Sequence, residues 1–443
     1  MTDDVEQCRA ALNRYPLGHS DRPQSLNNLA ICLRNRFMQQ GAPSDIDESI
    51  ELHRAALLLR PPGHSDRPKS LNNLAVSLLN RFTQQGILSD LDECIELHRA
   101  ALLLRPPGHC DRSHSLNNLA VSLQDRFTQR GVLSDLDESI ELHRAALLLR
   151  LPGHANRPHT LNNLANSLGN RFSQQGVPSD LDECIELHRA ALLLRPLGHS
   201  DRPYTLNNLA NSLRDRFIHR GVMSDLDDSI ELHRAALLLR PPGYPDQSHS
   251  LHNLAASLQD RFTHRGVLSD LDECIELNRA ALLLCPPGHS GRSNTLNNLA
   301  NSIGNRFSQR GVPSDLDECI ELHRAALLLR PLGHSDRSHS LHNLAVSLRD
   351  RFTQRGVPSD LDESIELDRA ALLLRPPGHP LRSSSFNNLA SSLQERFAKW
   401  GVPSDLDEGV EFLRAALLLH PPGHSNRSQS LHDLAESLRE RFM

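Results

Sequence analysis

Ser70-Leu71-Asn72-Asn73-Leu74-Ala75-Val76-Ser77-Leu78-Leu79-Asn80-Arg81-Phe82-Thr83-Gln84-Gln85-Gly86 leads, two residues later, into Ser89-Asp90-Leu91-Asp92-Glu93. In the first stretch Leu71, Leu74, Ala75, Leu78 and Phe82 recur at i, i+3, i+4, i+7 and i+11. At about 100° per residue they share one stripe, which predicts an amphipathic helix over 70–85. Gly86 is placed to close that helix in the left-handed conformation. Ser89 and Asp90 are N-cap candidates for a second helix, with Asp92 and Glu93 as capping-box partners. That second helix should run to about Arg105, whose charge suits the helix dipole, and Pro106-Pro107-Gly108 should stop it. The unit is a helical hairpin.

The hairpin repeats. Ser-Asp-Leu-Asp-Glu or a close variant starts at Ser44, Ser89, Ser134, Ser179, Ser224, Ser269, Ser314, Ser359 and Ser404, always 45 residues apart. Residues 116–250 match 251–385 more closely than adjacent units match each other. Gly169 and Gly304 recur at that longer period, as do the Pro-Leu-Gly loops at Pro196 and Pro331. A lone hairpin cannot bury its apolar faces, so the copies must stack. One repeat domain over 1–443 is expected. It would hold a lone second helix at 3–14, nine hairpins over about 25–420 and a lone first helix at 430–443.

Composition narrows the function. Charged residues are 23% and aromatics 4%, and the formal net charge of −6 leaves no basic footprint for nucleic acid. The Ala100–Leu104 apolar run is too short to span a membrane. Met1-Thr2-Asp3-Asp4-Val5 does not read as a signal peptide, so the cytosol is the expected compartment. Cys94, Cys184, Cys274 and Cys319 share a repeat position with Ser49, Ser139, Ser229, Ser364 and Gly409, which suits small packing residues. Phosphate loops, dinucleotide fingerprints, zincin motifs and nucleophile elbows are missing from the sequence, so no enzyme, catalytic residue or cofactor is expected. Of 25 histidines, His249/His252 and His339/His342 are i, i+3 pairs, but no third ligand is evident and no metal is expected.

Leu71, Leu74, Ala75 and Leu78 on the first helix, and Cys94, His98, Ala101 and Pro106 on the second, carry the spacing of a tetratricopeptide repeat. The unit exceeds the usual ~34 residues, through a longer first helix and the Pro-Gly-His connection. In this it resembles the repeats of kinesin light chains, and arrays found beside caspase-like (CHAT) protease or NACHT nucleotidase domains. The resemblance implies an all-α, right-handed superhelical solenoid whose first helices line a concave groove.

Opposite the core stripe of the first helix, Asn73 recurs as Asn28, Asn118, Asn163, Asn208, Asn253, Asn298, Asn343 and Asn388, with Asp433 in the last copy. The preceding position holds Asn72, Asn117, Asn162, Asn207 and Asn297, or His252, His342 and His432. An amide offers a donor and an acceptor, which suits the backbone of an extended peptide. The resemblance implies the same use; the alternative is that these amides brace adjacent repeats. Asp125, Asp215, Asp260 and Asp350 vary with Asn at a neighbouring position and suggest a partner bearing Lys or Arg.

The expected function is an adaptor holding an extended segment of a protein or peptide ligand, with no nucleic acid or membrane partner. The alternative is a sensing arm of a larger CHAT-protease or NACHT-type protein. The stripe Leu431, Leu434, Leu438 and Phe442 suggests end-to-end self-association or a longer parent. The Arg before each core Phe, from Arg36 to Arg441, should bridge to the acidic turn. The Pro-Gly-His connection should fold over the Leu58, Leu103, Leu148, Leu193, Leu238, Leu283, Leu328, Leu373 and Leu418 row, the alternative being an exposed strip.

Overall fold

The structure, a computed structural model, describes residues 2–240, 247–420 and 427–442. Helix is the regular element throughout these residues, and they contain no strand. Two compact units, Met1–Val222 and Met223–Met443, are built alike. The first holds α1 (Thr2–Asn13), α2 (Arg22–Gln40), α3 (Pro43–Leu58), α4 (Arg67–Gln85), α5 (Leu88–Leu103), α6 (Arg112–Arg130), α7 (Leu133–Leu149), α8 (Arg157–Gln175), α9 (Pro178–Leu193) and α10 (Arg202–Arg220). The second holds α11 (Met223–Leu238), α12 (Gln247–Arg265), α13 (Leu268–Leu283), α14 (Arg292–Arg310), α15 (Pro313–Leu328), α16 (Arg337–Arg355), α17 (Pro358–Leu373), α18 (Arg382–Trp400), α19 (Pro403–Leu418) and α20 (Arg427–Phe442). Within each unit a helix pairs with its hairpin mate and then packs on the next hairpin.

The predicted stripe is the core. Leu71, Leu74, Ala75, Leu78 and Phe82 are all buried. No hairpin closes its core alone: Phe37, Ile46 and Ile50 of one unit pack with Leu74, Ala75, Leu78 and Cys94 of the next. In the second unit Phe352, Leu361 and Ile365 pack likewise against Leu389 and Leu393. The small residues fasten these layers. Ser49 Oγ lies 3.2 Å from Ser77 Oγ, and Cys94 Sγ lies 3.3 Å from Ser122 Oγ.

Gly86 closes α4 as expected, at φ +71°, where a side chain would be strained; its N–H donates to Phe82 O at 2.7 Å. The capping expectation fails. Helix α5 starts at Leu88 with Ile87 as its N-cap and no side-chain cap. Asp90 is buried and receives Arg81 instead, with Nε 2.6 Å from Oδ2 and Nη2 2.8 Å from Oδ1. A bidentate charged pair outcompetes a single backbone N–H. The same fork joins Arg36 to Asp45, Arg126 to Asp135, Arg171 to Asp180, Arg261 to Asp270 and Arg351 to Asp360. The bridge expected of these arginines therefore exists, more buried than an ordinary surface pair.

Arg105, just past the end of α5, is 6% exposed, and its Nη1 donates to Ser115 Oγ at 2.7 Å. One further expectation needs correcting: the connection does not cover the Leu row, whose nine members are 79–86% exposed. The loop folds on itself. His109 accepts the Asp111 N–H through Nδ1 at 3.0 Å, and Arg112 reaches back to the Arg105 carbonyl. At the end of α20, Leu431 is exposed and Leu434 and Leu438 are half-buried, while the Phe442 side chain lies outside the described residues.

Candidate functional site

The first helices turn their asparagine pairs away from the core stripe. Asn73, Asn118, Asn163, Asn208, Asn253, Asn343 and Asn388 are half-buried, and Asn28 and Asn298 are exposed. The position before them lies deeper. Asn72 and Asn117 are half-buried, whereas Asn162, Asn207 and Asn297 keep only 1%, 3% and 5% exposure.

The two rows touch across repeats. Asn118 Nδ2 donates to Asn72 Oδ1 at 2.9 Å, and Asn163 to Asn117 at 3.4 Å. Asn208 Nδ2 donates to Asn162 at 3.3 Å and to Asn166 at 3.1 Å. In the second unit Asn343 Nδ2 donates to Asn297 at 3.1 Å and to Asn301 at 3.3 Å. The deeper amides are thus fastenings. Asn118, Asn163, Asn208 and Asn343 give their nitrogens to the neighbouring repeat, whereas Nδ2 of Asn73 and of Asn253 has no partner and Asn28 accepts from Gln24.

Behind the asparagines the second helices place a buried histidine row, at the His98 position that the repeat spacing marked without its environment. His53 Nδ1 donates to Asn27 Oδ1 at 2.8 Å. Neither ring nitrogen of His98 or His143 has a partner, nor does Nδ1 of His188 or His323. Burial pushes His98 and His323 down to about 4, and His53, His143 and His188 to about 3, so all are neutral at pH 7. Where Asp368 replaces the histidine, it accepts from His342 Nδ1 at 3.1 Å. The available signal was a polar residue recurring inside the apolar stripe of the second helix.

The acidic neighbours Asp125, Asp215, Asp260 and Asp350 are half-buried on the same face. Burial raises Asp125 to about 6 and shifts Asp215 and Asp350 upward, the last two opposed by Arg214 and Arg349. Between α8 and α10 the face opens into a polar cleft of 340 Å³, bordered by Asn166, Asn170, Asn208, Asn211 and Asp215 with His188 at its back. His249/His252 and His339/His342 gather no third ligand among the described residues; the triplet close enough for a metal is His109, Cys110 and Asp111 on an exposed loop. His109 Nδ1 there is already occupied by the Asp111 N–H.

The family model described as tetratricopeptide repeat matches residues 69–109, one full hairpin of the 45-residue series. The chain folds as a tetratricopeptide-repeat array. A human IFIT1 dimer with PPP-AAAA shares its fold at TM-score 0.55 and 13% identity, over 99% of this chain and 87% of that one. A STAND protein with a tetratricopeptide repeat sensor from Pyrococcus horikoshii matches at TM-score 0.55 and 10% identity, over 96% of this chain and 53% of that one. Nearly identical TPR-like repeats from Podosopora anserina are 18% identical over 49% of this chain and 98% of theirs, with a TM-score of 0.37, too low to argue from. No curated protein matches the chain by sequence. As a tetratricopeptide array it has the fold of an interaction scaffold, and no helix among the described residues is long and apolar enough to cross a membrane.

Proposed function

We propose that the array is a cytoplasmic adaptor that holds an extended segment of a partner protein along the asparagine face. The observation that carries this is the outer row Asn28, Asn73, Asn118, Asn163, Asn208, Asn253, Asn298, Asn343 and Asn388, one amide per repeat at the surface of the first helices. Bridging takes their Nδ2 groups in several repeats, which leaves a ladder of Oδ1 acceptors for backbone N–H groups. The deeper Asn72, Asn117, Asn162, Asn207 and Asn297 hold that ladder in place. Asp125, Asp215, Asp260 and Asp350 supply the variable, acidic neighbours that select a basic partner. Phosphates of a nucleic acid would meet these carboxylates unfavourably.

The test is affinity for a partner captured on the wild-type array, compared with Asn163→Ala, Asn208→Ala and Asn298→Ala combined. Each hydrogen bond contributes roughly 0.5–1.5 kcal/mol, so the triple variant should bind at least tens-fold more weakly. Unchanged affinity in the folded variant sinks the proposal. The second reading, a sensing arm of a larger signalling protein, draws on the fold shared with the STAND protein.

A further inference from the structure

The cleft between α8 and α10 exists because residue 169 is glycine. The equivalent residues elsewhere in the first unit are Arg34, Leu79, Gln124 and Arg214. Nothing local demands the glycine: an added Cβ would meet only Cys184 Sγ, at an ordinary 3.6 Å. Glycine inside a helix is unfavourable, so the chain gives up helix stability here and gains an opening.

The lining combines several amides with one carboxylate. Asn208 Nδ2 is engaged by Asn162 and Asn166, which leaves its Oδ1 free to accept. Asp215 contributes a carboxylate, and Asn170 and Asn211 add further carbonyl oxygens. At the back, His188 is 1% exposed, and its Nδ1 has no partner in the protein. Such an atom is costly to bury, and the same nitrogen stands unpartnered in His98, His143 and His323, but at His188 it borders an open cleft. Burial raises the pKa of Asp215, and adjacent Arg214 opposes this. No lysine or arginine lines the cleft. A metal does not fit, because Cys184, His188 and Asp215 do not come within 4.8 Å of one another.

We propose that this cleft is a subsite for an alkylammonium group, the head of a lysine side chain on the bound segment. Three N–H donors spread tetrahedrally match acceptors contributed by three helices, with Asp215 supplying the opposite charge. The assignment rests on the asparagine face being the partner-binding face, and it names the residue that face selects. Gly304 repeats the glycine in the second unit, with Val346 where the first has Asn211, so the readout must resolve individual sites.

The experiment titrates n-butylammonium, with 1-butanol as the neutral control, into full-length protein carrying 15N-labelled asparagine. Saturable shifts of the Asn166, Asn170 and Asn208 side-chain amides are expected with the cation and not with the alcohol. Gly169→Gln, which copies Gln124, should abolish them. Asp215→Asn, which copies Asn170, should weaken binding roughly tenfold. Both replacements occur naturally in sister repeats, so the fold tolerates them. Equal shifts with butanol, no shifts with either compound, or shifts that survive Gly169→Gln overturn the assignment. The adaptor reading is tested separately, by the partner affinity of the triple asparagine variant, so the two can fail independently.

Discussion

Asn118 on α6 donates through Nδ2 to Oδ1 of Asn72 on α4 at 2.9 Å, so one groove amide holds the amide of the preceding repeat. Bracing engages the donor of Asn118, which is compatible with the proposed use of its acceptor. A double-mutant cycle with Asn72→Ala and Asn118→Ala should show a coupling of about 0.5–1.5 kcal/mol in stability. Strictly additive effects would mean that the bridge contributes nothing in solution.

Arg150 ties three helices together. Its Nε and Nη2 lie 3.4 and 3.3 Å from Ser113 Oγ and O, and Nη1 reaches the Asn156 carbonyl at 3.2 Å and Thr160. Arg150→Ala should cost about 1–3 kcal/mol in chemical denaturation, because buried oxygens lose their donors. Arg150→Cys should be milder, since Cys285 fills the equivalent place and receives Thr295 Oγ1 at 3.7 Å from its sulfur. Equal behaviour of wild type and Arg150→Ala would show that the cluster is dispensable.

Acid should loosen the array through the histidine row. Folded His98 titrates at about 4 and His143 and His188 at about 3, because burial and then the nearby Arg105, Arg150 and Arg195 disfavour the imidazolium. The unfolded chain binds those protons near pH 6.5, so stability is flat above that value and falls as pH drops below it. Each histidine steepens the fall by about 1.4 kcal/mol per pH unit. Asp125, raised to about 6, acts in the opposite direction between its unfolded and folded values and offsets one histidine there. Melting temperature should hold from pH 8 to 7 and decline towards pH 5. Replacing His98, His143 and His188 by Asn, as at Asn278, should flatten that decline; an unaltered profile would locate the acid response elsewhere.

The exposed leucines make a prediction of the opposite kind. Leu193 and Leu238 are each 86% exposed, so Leu193→Glu with Leu238→Glu should change stability by no more than about 0.5 kcal/mol. Any concentration-dependent light scattering of the wild type should diminish in the variant, since an apolar row in water favours association. A large drop in melting temperature would mean that something covers the row in solution.

The helices, their boundaries near Gly86 and Pro106, the core stripe and the need to stack were all legible in the sequence. They depend on residues three to four apart and on glycine's access to positive φ, interactions that lie within a single hairpin. The asparagine row was legible too, as a position, with bracing as one of its two readings, but the partners of its amides were not. The partner of Asn118 lies 46 residues away, and that of Asn27 is His53 on the adjoining helix. Tertiary packing alone decided that Asp90 takes Arg81 instead of capping α5, and that Arg105 and His98 are buried. It also decided that Leu103 faces water and that Gly169 opens a cleft. Each of these outcomes is a competition among groups from different helices, and a helical wheel of one repeat contains only one side of it.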